Sequence, residues 1–324
     1  MKKIFSIVIP IYKNEMNLPV TIPYIMERSS SLFEKYQVEL VLVNDGSPDN
    51  SWEIMKEYQE KYPETIRIAS LTRNFGQVMA IHCGVSLAKG DAIGVMSADL
   101  QDPLELFADM LKEWENGAEL VCGVRQDRKE KGLSILFSKI THKLIHKFVT
   151  NKYPEGGFDF FLMDRRVAER YVAIKEKNGS LQVLLLWMGH RVKFLPYTRE
   201  ARELGKSGWT FSKKVKMFID SFVTNTYLPL RIMSVIGFLC AFGAVLFAAW
   251  IVISVFLVGR NVLGWSSLAT LITFFGGLIL ASLGLIGEYL WRIFDAVKDR
   301  PLYLVDEVID KTKKPKEDQR SLQD

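Results

Sequence analysis

The stretch GVMSADLQDP, Gly94 to Pro103, sets two carboxylates and an amide at the end of an apolar run. Carboxylate and amide oxygens are hard donors, suited to a divalent cation such as Mg2+ or Mn2+. Asp102 precedes Pro103 and reads first as a helix N-cap. Ser97 stands two residues before Asp99, where an acid would have completed an Asp-x-Asp pair. His142 and His146 share the i, i+4 spacing of a zinc pair, but no third ligand accompanies them. Their surroundings, SKITHKLIHKF, read as a basic amphipathic helix rather than a metal site. No G-x-x-x-x-G-K-[ST] or G-x-G-x-x-G segment supplies a glycine-rich phosphate cradle.

Strands must carry these residues to one place. Apolar runs at Ile4–Pro10, Val38–Val43, Ile66–Ser70, Ala92–Met96 and Leu120–Cys122 alternate with helical patterns. Such alternation predicts an α/β domain with a mostly parallel sheet and right-handed crossovers. Four strand ends carry polar, turn-forming residues: PIYKNE, NDGSPDNS, LTRNFGQ and SADLQDP. Ligands of open α/β sheets bind beyond the carboxyl ends of the strands, so the four clusters predict a single site.

The chain has 324 residues, enough for about two domains. Its 48% hydrophobic and 24% charged content allows a sizeable core. A net charge of +5 suits an anionic substrate or membrane surface and is too weak to argue for nucleic acid. The three cysteines are scattered, with no C-x-x-C, which fits a reducing compartment. The N-terminal run MKKIFSIVIPIY is short and interrupted by Pro10, so it reads as a buried strand and not a signal peptide.

Composition shifts near residue 231. Residues 232 to 259 and 261 to 287 carry no charged side chain. Each would reach roughly 40 Å as a helix, beyond the ~30 Å hydrocarbon core of a bilayer. Lysines and arginines flank the pair on both sides, and only Arg260 lies between. The positive-inside rule then predicts a hairpin with both termini in the cytoplasm. Gly237/Ala241 and Gly277/Ala281 suit close helix packing. Phe211, Val215, Phe218, Ile219, Phe222 and Val223 recur at helical spacing, opposite lysines. They read either as a basic amphipathic helix on the membrane face or as a helix packed on the soluble domain.

In order, SIVIPIYKNEMNL, VNDGSPDNS, RNFGQVMAIHCGVSLAKGD and SADLQDP resemble the family 2 glycosyltransferases. The likeness is greatest to bacterial polyprenyl-phosphate glycosyltransferases, relatives of dolichol-phosphate mannose synthase. It continues through GVRQDR, GGFDFFLMDRR, RELGKSGWTF and GLIGEYLWRI, and so covers nearly the whole chain. The resemblance implies a GT-A catalytic domain over residues 1–205 and a juxtamembrane amphipathic helix over 206–231. Two transmembrane helices over 232–290 and a cytoplasmic tail over 291–324 follow. It implies transfer of a sugar, with inversion, from a nucleotide-diphosphate donor, with a UDP-sugar favoured. The acceptor would be polyprenyl phosphate, undecaprenyl phosphate in a bacterium, at the cytoplasmic face of the inner membrane. The growing charge on the leaving diphosphate is what a dication at Asp99 and Gln101 would neutralise.

The same resemblance assigns further roles. Pro10, Tyr12 and Glu15 match the nucleotide-binding first loop, and Asp45 matches the acid that contacts the base. Arg125 and Arg202 match basic residues near the phosphates. Asp159 matches an acid near the reacting centre, where it would orient the sugar or hold cationic partners. Ser207 retains part of the segment that closes over the donor, although Gly208 and Trp209 depart from the family's Lys and Tyr. Relatives often form tetramers through their membrane segments, which implies a homo-oligomer. A processive polysaccharide synthase shares the fold but carries a Q-x-x-R-W segment, and QVLLLW at Gln182 lacks the Arg. A nucleotide-sugar-binding scaffold without catalysis is the reading that Ser97 alone would favour.

Overall fold

The computed structural model describes residues 2–125, 153–154, 157–176, 179–198, 228–258 and 264–310. Eight strands form one sheet: Lys3–Ile11 (β1), Tyr36–Asn44 (β2), Ile66–Leu71 (β3), Ala92–Val95 (β4), Leu120–Arg125 (β5), Phe160–Asp164 (β6), Val192–Tyr197 (β7) and Val305–Ile309 (β8). Their order is β7-β5-β6-β4-β1-β2-β3-β8. The five strands expected from the apolar runs are all present. β4, β1, β2 and β3 run parallel, whereas β6 and β8 run antiparallel to their neighbours.

Helices Leu18–Leu32 (α1), Ser51–Lys61 (α2), Gln77–Leu87 (α3), Leu106–Glu115 (α4), Arg165–Ala173 (α5) and Leu181–Trp187 (α6) complete this unit. β1 shows why the sheet has two cores. Phe5, Ile7, Ile9 and Ile11 point into one cluster and Val8 into the other, all fully buried. Both faces are covered, so the strand reads as a nearly continuous apolar run. Burying each such side chain contributes about 1.5–3 kcal/mol. Gly94 on β4 is required by packing, because a Cβ there would meet the Phe107 ring at 2.4 Å.

Two long helices, Leu228–Val258 (α7) and Trp265–Val297 (α8), form a second compact unit. Phe274–Val297 is long and apolar enough to cross a membrane. Among the described residues, a Cβ added at Gly237 or Gly277 would meet nothing within 4 Å.

The expected tail from residue 291 is not simply a tail. α8 continues to Val297, and the chain then returns to the first unit as β8 on the free edge of β3. Leu304 O accepts from Thr72 N at 3.0 Å. Arg67, 5% exposed, pairs with Asp310 at 3.1 Å and with Glu39 at 2.9 Å. A sheet edge is an unpaired row of donors and acceptors, and β8 covers this one.

Candidate functional site

The strand register explains how distant residues meet. Pro10 pairs with Val43, Asn44 with Ser70, and Val8 with Val95. The carboxyl ends of β1 to β4 therefore share one edge. β6 runs the other way, and Phe161 opposite Val95 brings its entry, with Asp159 just before it, to that same edge. β5 opposes β6, and Arg125 at its end pairs with Tyr197 of β7. The four polar clusters, Arg125 and Asp159 all stand there.

In the second cluster, Asp45 is buried, and its two oxygens accept from Phe75 N at 2.7 Å and Gly76 N at 2.9 Å. Burial raises its pKa, and the two backbone donors offset this only in part. Gly46 has φ +60, and a Cβ there would lie 2.4 Å from the Arg73 backbone, so only glycine lets the two loops approach. Glu15 N donates to Asp49 Oδ2 at 3.2 Å, and Asn50 N returns a bond to Glu15 Oε2 at 3.0 Å. Pro10 is the penultimate residue of β1, and Tyr12 lies exposed just beyond the strand. The loops expected to bind a nucleotide are thus bound to each other.

The acidic corner follows β4. Ser97 Oγ lies 2.7 Å from Asp99 Oδ1 and 2.8 Å from Asp102 Oδ2. A hydroxyl has one proton, so it serves one carboxylate at a time. Gln101 N donates to Asp99 Oδ1 at 3.4 Å, and Thr21 holds the Ala98 carbonyl at 2.8 Å. Asp102 is not a helix cap. α4 begins at Leu106 with Glu105 at its N-cap, while Asp102 is buried and its Oδ1 accepts from the Tyr197 hydroxyl at 2.7 Å. The Asp-Pro signal for capping lost to a tertiary partner 95 residues away.

Arg125 continues the chain of contacts. Its Nε donates to Tyr197 OH at 3.4 Å and its Nη2 to Asp159 Oδ2 at 2.8 Å. Burial works against the Arg125 charge, but Asp159, Tyr197 and Asp102 together raise its pKa. Burial and the Asp102 carboxylate push the Tyr197 phenol far up, so it remains a proton donor. Gln182 Nε2 donates to Asp159 Oδ1 at 2.9 Å, and Ser180 Oγ donates to Gln182 Oε1 at 2.7 Å.

Among the described residues no three His, Cys, Asp or Glu side chains form a metal cluster. The corner instead offers two carboxylates and a hydroxyl, with Gln101 alongside through its backbone N–H, a hard oxygen set that fits Mg2+ or Mn2+ with ligands left for a substrate. Two acids sharing one hydroxyl proton repel each other, and a cation between them removes that repulsion. Arg202, Ser207, His142, His146 and residues 206–227 of the expected amphipathic helix lie outside the described residues. Tyr197, Gln182 and the tertiary role of Asp102 were not foreseen. The only signal was Gln182, noted for a motif it fails to complete.

The family model for glycosyl transferase family 2 matches residues 6–172. The Bacillus subtilis (strain 168) glycosyltransferase YkcC, itself uncharacterized, is 36% identical over 305 residues, 93% of either chain. The SfII prophage-derived bactoprenol glucosyl transferase of Shigella flexneri is 34% identical over 93% of this chain and 96% of its own. The mannosyltransferase PcManGT of Pyrobaculum calidifontis, solved with GDP-Man and Mn2+, aligns with a TM-score of 0.45 at 17% identity, over 60% of this chain and 55% of its own.

Proposed function

The chain belongs to glycosyl transferase family 2, and from that membership we propose that it is a polyprenyl-phosphate glycosyltransferase. It takes a sugar from a nucleotide-diphosphate donor, a UDP-sugar, and delivers it to undecaprenyl phosphate at the cytoplasmic face of a bacterial inner membrane. The observation that carries this reading is the meeting of Asp99, Asp102, Arg125 and Asp159 at the carboxyl edge of the sheet. Likeness to a bactoprenol glucosyl transferase over 93% of the chain supports the lipid acceptor.

Asp99 and Gln101 would hold Mg2+ or Mn2+, which supplies charge neutralisation for the departing diphosphate. Arg125 has a planar fork suited to phosphate oxygens, and its contact with Asp159 aims that fork. The acceptor phosphate is already an anion and needs little help from a general base. Asp159, held by both Arg125 and Gln182, therefore orients groups rather than abstracting a proton.

The path of the chain supports anchoring by a hairpin. Strands of one folded unit come both before α7 and after α8. Both flanks of the apolar pair thus belong on one side of any membrane it crosses.

The test is a panel of radiolabelled UDP- and GDP-sugars on membranes containing undecaprenyl phosphate. Label should move into the lipid extract from a UDP-sugar and depend on added Mg2+ or Mn2+. Absence of lipid-linked label with every donor would overturn the reading.

A further inference from the structure

Tyr197 is a link in an unbroken polar chain. Ser97, Asp102, Tyr197, Arg125, Asp159, Gln182 and Ser180 are joined in sequence by hydrogen bonds of 2.7 to 3.4 Å. Its direction at Tyr197 is set by chemistry. Arg125 can only donate and the Asp102 carboxylate only accepts, so the hydroxyl receives from one and gives to the other. The ring has little freedom to move away: it is 6% exposed and sits 5.9 Å from the Phe160 ring centroid. A Cβ added at Gly123, across the β5–β7 pairing, would come 3.1 Å from its Cε1.

We propose that Tyr197 is a positioning residue for sugar transfer, its hydroxyl fixing Arg125 and Asp159 relative to the acidic corner at Ser97, Asp99 and Asp102. The inference rests on the glycosyltransferase reading and deepens it. Asp102, in the loop after β4, and Arg125, at the end of β5, both bond this one hydroxyl. Without it, the Arg125 fork keeps Asp159 but loses its tie to the corner. Asp102 loses one of its donors at a buried position, where a carboxylate is costly to leave short of them. Arg125 would then meet the diphosphate or acceptor charge in the wrong place, and a small displacement of such a group is costly in rate.

The experiment compares Tyr197→Phe, Asp102→Ala, Arg125→Lys and the pairwise combinations in the lipid-transfer assay, each scaled to folded protein by thermal melt. Tyr197→Phe keeps the ring and removes only the hydroxyl. Its kcat should fall roughly ten- to a hundred-fold, the value of a hydrogen bond to a charged group, with donor KM changed little. The apparent Mg2+ midpoint should rise, because the corner is loosened. Effects should be non-additive, so Tyr197→Phe added to Arg125→Lys costs little more than Arg125→Lys alone. Asp102→Ala removes the acceptor of the Tyr197 hydroxyl, breaks the same link from the other side and should reproduce the kcat loss, which covers the case of a phenylalanine variant that folds poorly. A wild-type kcat per folded molecule in either single variant, or full additivity with Arg125→Lys, would overturn the positioning role. Absence of transfer by the wild type would instead refute the glycosyltransferase reading beneath it.

Discussion

Ser97 Oγ stands 2.7 Å from Asp99 Oδ1, so the hydroxyl two residues before Asp99 faces that acid. Position 97 is part of the acidic corner and not a packing residue of β4. Ser97→Asp therefore adds a carboxylate beside Asp99 and Asp102. Without metal, three acids should repel and lower the melting temperature. With Mg2+ the loss should reverse, and the metal midpoint for transfer should fall, while kcat stays equal or drops because product release slows. A metal titration beside a melt reads both, and an unchanged midpoint in a folded variant contradicts this placement.

Asp99→Asn should leave the fold intact and reduce transfer by ~100-fold or more, since neutralising the leaving diphosphate is worth several kcal/mol. EDTA should have the same effect on the wild type and be reversed by Mg2+ or Mn2+. Undiminished activity in EDTA would remove the metal from the account.

The hairpin is checked by labelling. With Cys240 replaced by serine and Cys83 and Cys122 buried, Gly264→Cys should react with an impermeant maleimide from outside intact cells. Lys313→Cys should react only after the cells are opened. Both reacting from the same side would contradict the topology.

β8 should contribute measurably to the stability of the catalytic unit. Asp310→Asn removes one partner of Arg67, and breaking a buried pair costs about 3 kcal/mol or more. The melt should fall by several degrees. Lys112→Gln, which loses only an exposed i, i+3 pair with Asp109, should leave it nearly unchanged. Equal melts for the two variants would show that the Arg67–Asp310 pair adds nothing.

Much of this was legible from residue order. β1 to β5 are apolar runs followed by turn chemistry, and parallel pairing then requires their ends to share an edge. Direction was harder to see. Nothing in the run FFLMD distinguishes a parallel strand from an antiparallel one, yet the antiparallel pairing of β6 with β4 is what brings Asp159 to the site. β8, VDEVI, is short, charged and largely exposed, as an edge strand can be, and its sequence carries no strong strand signal. Tyr197 in FLPYTR belongs to no motif. It meets Arg125 only because β5 and β7 pair in register, and it meets Asp102 only across the fold.

The most direct test of the central claim is the product made by purified protein in detergent with one radiolabelled UDP-sugar, Mg2+ and undecaprenyl phosphate. The account predicts a single species, one sugar per lipid phosphate with the anomeric configuration inverted, formed only when the lipid phosphate is present. A growing polymer, or nucleotide-sugar binding with no transfer under any donor, would contradict it.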